Sequence, residues 1–152
     1  MDVRFQRVGA LSNTQVGMDF EQVARTCLAE EGIDVQRGFA VPVGVGDVKK
    51  PRSFDLGSED PPVLVECKSH RWTAGKNSPS AKLTVWNEAM YYFTLAPPQY
   101  RRILFVLRDY SEGRRISLAE HYLQRFQHLV PVNVELWEFD DTAEGFRVLH
   151  GA

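Results

Sequence analysis

The residues with the most chemical content lie between positions 54 and 68. The run Val63-Leu64-Val65-Glu66-Cys67-Lys68 passes from three apolar residues into an acid and a base two positions apart. Such a run predicts a strand over Val63 to Ser69. Side chains along a strand alternate between faces, so Leu64, Glu66 and Lys68 share one face, and Val65 and Cys67 share the other. A carboxylate and an ammonium then point into the same space near the end of a buried strand. Unpaired charge is costly there. The site needs partners, and a metal ion is one.

Upstream, about Arg52 to Gly57 reads as a second strand. Ser58-Glu59-Asp60-Pro61-Pro62 reads as a loop, because two prolines do not fit a central strand. A hairpin symmetric about Asp60-Pro61 sets Asp55 opposite Glu66 and Leu56 opposite Val65. Like charges facing each other across a sheet are unfavourable unless a cation lies between them. Two carboxylates suit a hard cation such as Mg²⁺ (or Mn²⁺). Mg²⁺ takes oxygen ligands at about 2.0–2.1 Å and keeps several waters. The backbone carbonyl of Cys67 would complete the protein's share. Lys68 would orient or help deprotonate a nucleophile, or offset phosphate charge in a transition state.

A plainer interpretation stands beside each residue. Glu66 and Lys68 also fit a salt-bridge set on a solvated face, and Asp55 a turn residue before Gly57. Cys67 fits a small buried side chain of which only the carbonyl matters. Trp86, Tyr92 and Phe93 fit a core. Trp137 fits either a second packed layer or an exposed dimer patch.

The elements that would position these residues follow from periodicity. Residues 1–17 read as an N-terminal arm. Residues 18–152 read as one domain, with a core over 18–108 and an αβ extension over 109–152. Phe20, Val23, Ala24, Cys27 and Leu28 recur at helical spacing from Met18 to about Glu31, and Gly32 ends that helix. Val35 to Val45 is extended, with a turn at Gly44, Gly46 and Asp47. A helix runs from about Pro79 to Leu95, stopped by Pro97-Pro98. Ile103-Leu104-Phe105-Val106-Leu107 reads as a strand covered on both faces. A helix over Ser117–Leu129 follows, then a strand over Val132–Phe139 and an edge strand over Phe146–Leu149. The fold class is α/β: a central mixed sheet flanked by helices.

Composition narrows the function classes. The chain has 152 residues and a net charge of −2, so no global basic field draws in nucleic acid. A protein that meets nucleic acid at one site need only be basic locally. Cys27 and Cys67 form no CxxC pair, which fits free thiols in a reducing cytoplasm. The histidines lack zinc-site spacing. The first residues lack the apolar stretch of a signal peptide, and no segment suits a membrane span. There is no Gly-rich phosphate loop, so a nucleotide cofactor is not expected, and an enzyme acting on a small phosphorylated substrate ranks last.

The arrangement Phe54-Asp55, hairpin, Val63-Leu64-Val65-Glu66-Cys67-Lys68 resembles the PD-(D/E)XK nucleases. Their common αβββαβ core matches the element order from Met18 to Arg108, about two-thirds of the chain. The resemblance implies a restriction-endonuclease-like fold. It places the family's aspartate on Asp55 and its E-x-K on Glu66 and Lys68. A helix glutamate that often joins the metal shell falls on Glu21. Asn87-Glu88-Ala89-Met90-Tyr91 is similar to the family's Q-x-x-x-Y, which gives Asn87 and Tyr91 supporting roles. Two departures stand out: Phe54 replaces the proline before the aspartate, and Asn87 replaces the glutamine. The implied function is hydrolysis of DNA phosphodiester bonds by metal-activated water, with a homodimer as the natural assembly for cutting two strands. The alternative is an inactive module of the same fold that binds nucleic acid or a protein. Expected substrate contacts are His70, Arg71, Lys76 and Lys82 after the motif, then Lys49, Lys50 and Arg52 before it.

Overall fold

A computed structural model describes residues 13–74 and 79–151, with side chains from residue 20 onward. Helix α1 spans Asn13–Glu30. It therefore starts earlier than Met18, and the arm expected over residues 1–17 is helical from Asn13; residues 1–12 lie outside the described residues. Its inward stripe is the predicted one, with Phe20, Val23, Ala24, Cys27 and Leu28 all buried. Gly32, at φ +83°, closes the helix. The amide of Ile33 donates to Leu28 and that of Gly32 to Ala29, so two terminal carbonyls are satisfied by a left-handed turn that glycine adopts freely.

Strands β1 (Gln36–Val45), β2 (Val48–Glu59) and β3 (Pro62–Lys68) form an antiparallel meander. Helix α2 (Ser80–Leu95) crosses to β4 (Arg101–Leu107), which runs parallel to β3. A small hairpin, β5 (Tyr110–Ser111) and β6 (Ile116–Ser117), leads into helix α3 (Leu118–Phe126). Ser117 and Glu120 cap α3 reciprocally, each side chain accepting from the other's backbone amide. A short 3-10 turn, Gln127–Leu129, precedes β7 (Val134–Asp140), and β8 (Gly145–His150) closes the edge. The six-stranded sheet has the order β1-β2-β3-β4-β7-β8, so the C-terminal elements extend the same sheet.

Two cores cover its faces. On one, Leu64, Leu104, Val106, Val134 and Leu136 meet Trp86, Phe93 and Met90 of α2 and Leu118 and Tyr122 of α3. On the other, Val63, Val65, Ile103, Phe105, Trp137 and Phe139 meet α1. Strand β4 is buried on both sides, as its apolar run predicts. Trp137 belongs to the second packed layer: it is 2% exposed and stacks on Phe146 with ring centroids 4.2 Å apart.

Several boundaries differ from expectation for physical reasons. Strand β2 begins at Val48, not Arg52, because the turn at Gly46-Asp47 continues the β1 ladder through Val43↔Lys50 and Pro42↔Pro51. Both prolines are tolerated because β3 does not reach that part of β2. Ser58 and Glu59 are strand and Pro62 opens β3, a position where a missing amide costs little. Strand β7 starts after Val132, which is 90% exposed beyond a turn closed by Val134 N to Pro131 O. Among the described residues, no helix is long and apolar enough to cross a membrane.

Gly57 faces Leu64 across the β2–β3 ladder, and a Cβ there would lie 2.5 Å from the Phe39 ring. Gly57→Ala is expected to destabilise the fold by about 1–3 kcal/mol through overpacking. A urea midpoint unchanged from wild type would contradict that packing.

Candidate metal centre

The β2–β3 ladder pairs Glu59↔Pro62 through Leu56↔Val65 and goes no further. The predicted register holds at Leu56 and Val65, but Asp55 and Glu66 are not a ladder pair. The strands part there, and side chains take over. The amide of Asp55 donates to Glu66 Oε2 at 3.0 Å, and the amide of Cys67 donates to Asp55 Oδ2 at 2.8 Å. Each carboxylate thus caps a backbone group on the opposite strand.

The face pattern of β2 also slips at this point. Phe54 packs in the α2–α3 layer and Leu56 in the α1 layer, although strict alternation would put both on one face. Gly38 of β1 has φ +64° between the pairs Arg37↔Leu56 and Phe39↔Phe54, beside Asp55. Asp55 therefore sits at a local kink. In β3 the alternation is regular: Leu64 packs with α2 and α3, while Val63, Val65 and Cys67 pack toward α1. Glu66 and Lys68 accordingly share the face of Leu64.

Glu66 is 3% exposed. Its Oε2 also lies 3.3 Å from Arg52 Nη1, and its Oε1 lies 3.9 Å from Lys68 Nζ. Arg52 is fixed in turn by two rings, its guanidinium 4.7 Å from the Phe54 centroid and 3.9 Å from that of Tyr92. Arg52 was expected at the substrate; it is placed as an internal counter-ion of Glu66.

Two cations beside one carboxylate should depress its pKa. The Glu66 carboxyl instead sits above its ordinary value of 4.5. Burial is the largest cause and the charge of Asp55 the next; Arg52, the Asp55 amide and Lys68 oppose them without winning. Glu21 of α1 is raised too, by burial first, then by Asp55, with Glu66 contributing. Arg37 lies 3.7 Å from it. Glu21, Asp55 and Glu66 thus form one mutually repelling acidic group. Burial pushes the Cys67 thiol well up, helped by the same three carboxylates. This leaves its carbonyl as the group of interest. Among the described residues, no three Asp, Glu, His or Cys side chains converge as a metal cage.

The remaining expected residues distribute as follows. Asn87 turns to α3, where its Oδ1 accepts from Tyr122 at 2.8 Å, and Tyr91 is 57% exposed. Neither is joined to the carboxylates by a hydrogen bond. Arg71 is drawn to Asp109 at 3.5 Å and Asp141 at 4.0 Å. Lys82 Nζ donates to the Arg71 carbonyl at 2.8 Å. His70 accepts from Trp86 Nε1 at 3.0 Å. Lys49 and Lys50 are exposed on the β1–β2 ribbon beyond the reach of β3. Lys76 lies outside the described residues.

One buried acid escaped the sequence reading. Glu138, 1% exposed, accepts from Ser117 Oγ at 2.5 Å and Arg147 Nε at 2.7 Å, with Arg108 at 3.7 Å. The signal was present: in Val134-Glu135-Leu136-Trp137-Glu138, alternation puts Glu138 with Val134 and Leu136. Through Lys68↔Val106 and Val106↔Glu138 it stands level with Lys68, two strands away. Its partners make it a structural clasp between β7, β8 and α3.

Comparison with known proteins yields no matching family model, no matching curated protein and no matching solved structure.

A raised carboxyl pKa fixes the sign of a pH effect. The folded chain holds the Glu66 proton more tightly than the unfolded chain does. The associated stability is present below pH 4.5 and is lost as pH rises through the raised value. Glu66→Gln stays neutral and escapes that loss. In chelator-treated buffer, its unfolding temperature should match wild type at low pH and exceed it by a margin that widens toward pH 7. A margin that narrows or reverses would contradict the charge assignment.

Proposed function

We propose that this chain is a divalent-metal-dependent nuclease of the PD-(D/E)XK type that hydrolyses DNA phosphodiester bonds. The observation that carries the proposal is the pairing of Asp55 and Glu66 across the parted strands, with Glu66 still short of positive charge beside Arg52 and Lys68. The order α1-β1-β2-β3-α2-β4 supports a restriction-endonuclease-like core.

The donor set fits a hard cation. Mg²⁺ is commonly held by one or two carboxylates, with waters and substrate phosphates completing its shell. The lack of a three-side-chain cage among the described residues is compatible with that. Asp55, Glu66 and the Cys67 carbonyl would hold the ion, with Glu21 at the flank. Bound Mg²⁺ or Mn²⁺ supplies Lewis-acid polarisation of the phosphate and a nucleophilic water at neutral pH. Lys68, on the face of Glu66, offsets charge on the phosphate as it develops. Arg52 keeps Glu66 ionisable and oriented. Lys82, tethered to the Arg71 carbonyl just past β3, adds local positive charge on a chain of net charge −2. Two-fold pairing of two chains would let both DNA strands be cut. Free Cys27 and Cys67 suit a reducing compartment.

A second reading has its own observation. Both carboxylates already cap opposing amides, so the trio has a structural task without any metal. A non-catalytic module that binds nucleic acid or a protein would keep that clasp.

Incubation with Mg²⁺ or Mn²⁺ and linear, supercoiled, single-stranded and branched DNA separates the two. Cleavage of at least one substrate is expected, abolished by chelator and reduced by roughly 10²-fold or more in Lys68→Ala. No cleavage of any substrate, or equal cleavage by the variant, would sink the nuclease reading.

A further inference from the structure

The imidazole of His70 is held in a way that its position after the motif did not require. Trp86 of α2 is fully buried, and its indole Nε1 lies 3.0 Å from His70 Nδ1. An indole nitrogen only donates. Nδ1 must therefore accept, and the ring proton of a neutral His70 resides on Nε2. An imidazolium would have no acceptor to offer, and the indole N–H would be left unsatisfied inside the core.

The surroundings reinforce the neutral form. Burial holds the His70 pKa below its ordinary value, and the charges of Lys68 and Lys82 add to the effect. Lys82 is itself tethered to the Arg71 carbonyl. In the imidazole ring, Nδ1 and Nε2 point in well-separated directions. With Nδ1 turned to the core at Trp86, Nε2–H is directed away from it. His70 lies two residues beyond Lys68, past the carboxyl end of β3. In open α/β sheets, that edge of the parallel strands is where ligands bind.

We infer that His70 is a further catalytic residue, a neutral imidazole whose Nε2–H is a fixed hydrogen-bond donor to a phosphate oxygen beside Lys68, with Trp86 as its positioning residue. The inference rests on the nuclease reading for the identity of the phosphate. The role is donation of a hydrogen bond; no proton is transferred. A neutral donor adds direction to a site whose positive charge Lys68 and Lys82 already supply. It cannot be replaced by a third cation without breaking the bond to Trp86.

The test uses variants that separate the two ring nitrogens. His70→Asn keeps a polar group where Nδ1 meets Trp86 but removes the distal donor. His70→Gln restores an N–H near the Nε2 position. Trp86→Phe leaves the imidazole but removes its lock. In DNA cleavage with Mg²⁺, kcat should fall about 10²–10³-fold in His70→Asn, the range for losing one preorganised donor. KM should change far less, and His70→Gln should recover most of the rate. An independent readout is ¹⁵N NMR of the imidazoles on the whole chain. Wild type should show His70 as the Nε2–H tautomer, inorganic phosphate should shift that Nε2–H signal, and Trp86→Phe should give mixed tautomers. Wild-type turnover in His70→Asn, with Lys68→Ala inactive, would overturn the inference and leave the nuclease reading intact. If wild type cuts no DNA, the nuclease reading fails and the phosphate titration decides alone. A shifted His70 Nε2–H then upholds the anion contact, and an unmoved signal overturns it.

Discussion

The structure turns on the place where β2 and β3 part. Beyond Leu56↔Val65 the backbone ladder stops, and the part-buried amides of Asp55 and Cys67 need acceptors. Glu66 and Asp55 provide them, each reaching across to the other strand. This reciprocal clasp lets β2 and β3 part within the sheet without orphaned donors, since an unsatisfied buried amide costs about 1–3 kcal/mol. It also forces two acids close together. The kink that puts Phe54 and Leu56 into opposite cores comes with the same opening, so the fold and the acidic site share one cause.

The balance of charge at this opening departs from that of a plain salt-bridge cluster. Arg52 and Lys68 both contact Glu66, and on simple counting they would compensate it. Burial and the neighbouring Asp55 outweigh them, so the carboxyl stays high. Compensation of a buried acid depends on what the partners return against lost hydration. Arg52 returns less because it is shared with the rings of Phe54 and Tyr92. Lys68 returns less because its ammonium stands 3.9 Å away. A further cation would restore the balance, and the same deficit marks the site as one tuned away from maximal stability.

Much of this was legible from residue order. The alternation of Val63 to Lys68 fixed which side chains share a face, and the helical stripe from Phe20 to Leu28 identified the packed face of α1. The register Leu56↔Val65 followed from the shortness of the turn. What escaped was set by long-range packing. Nothing local to Arg52 announces that Tyr92 of a distant helix will hold it against Glu66. Asn87 and Tyr91 share a helical spacing, yet Tyr122 of α3 claims Asn87 and leaves Tyr91 in solvent. The early start of β2 escaped because Lys49, Lys50 and Pro51 have poor strand propensity, and pairing with β1 overrides it. The Trp86–His70 bond joins residues that only the packing of α2 against the sheet brings together.

Asp55 and Glu66 are proposed to hold one divalent cation between them. Titration of the chelator-treated protein with Mn²⁺, followed by calorimetry and by the loss of free-ion paramagnetic signal, reads that site. One bound ion per chain is expected in wild type, with binding lost in Asp55→Asn and Glu66→Gln and retained in Lys68→Ala. Absence of binding in wild type, or undiminished binding in the two carboxylate variants, would rule out a cation at Asp55 and Glu66.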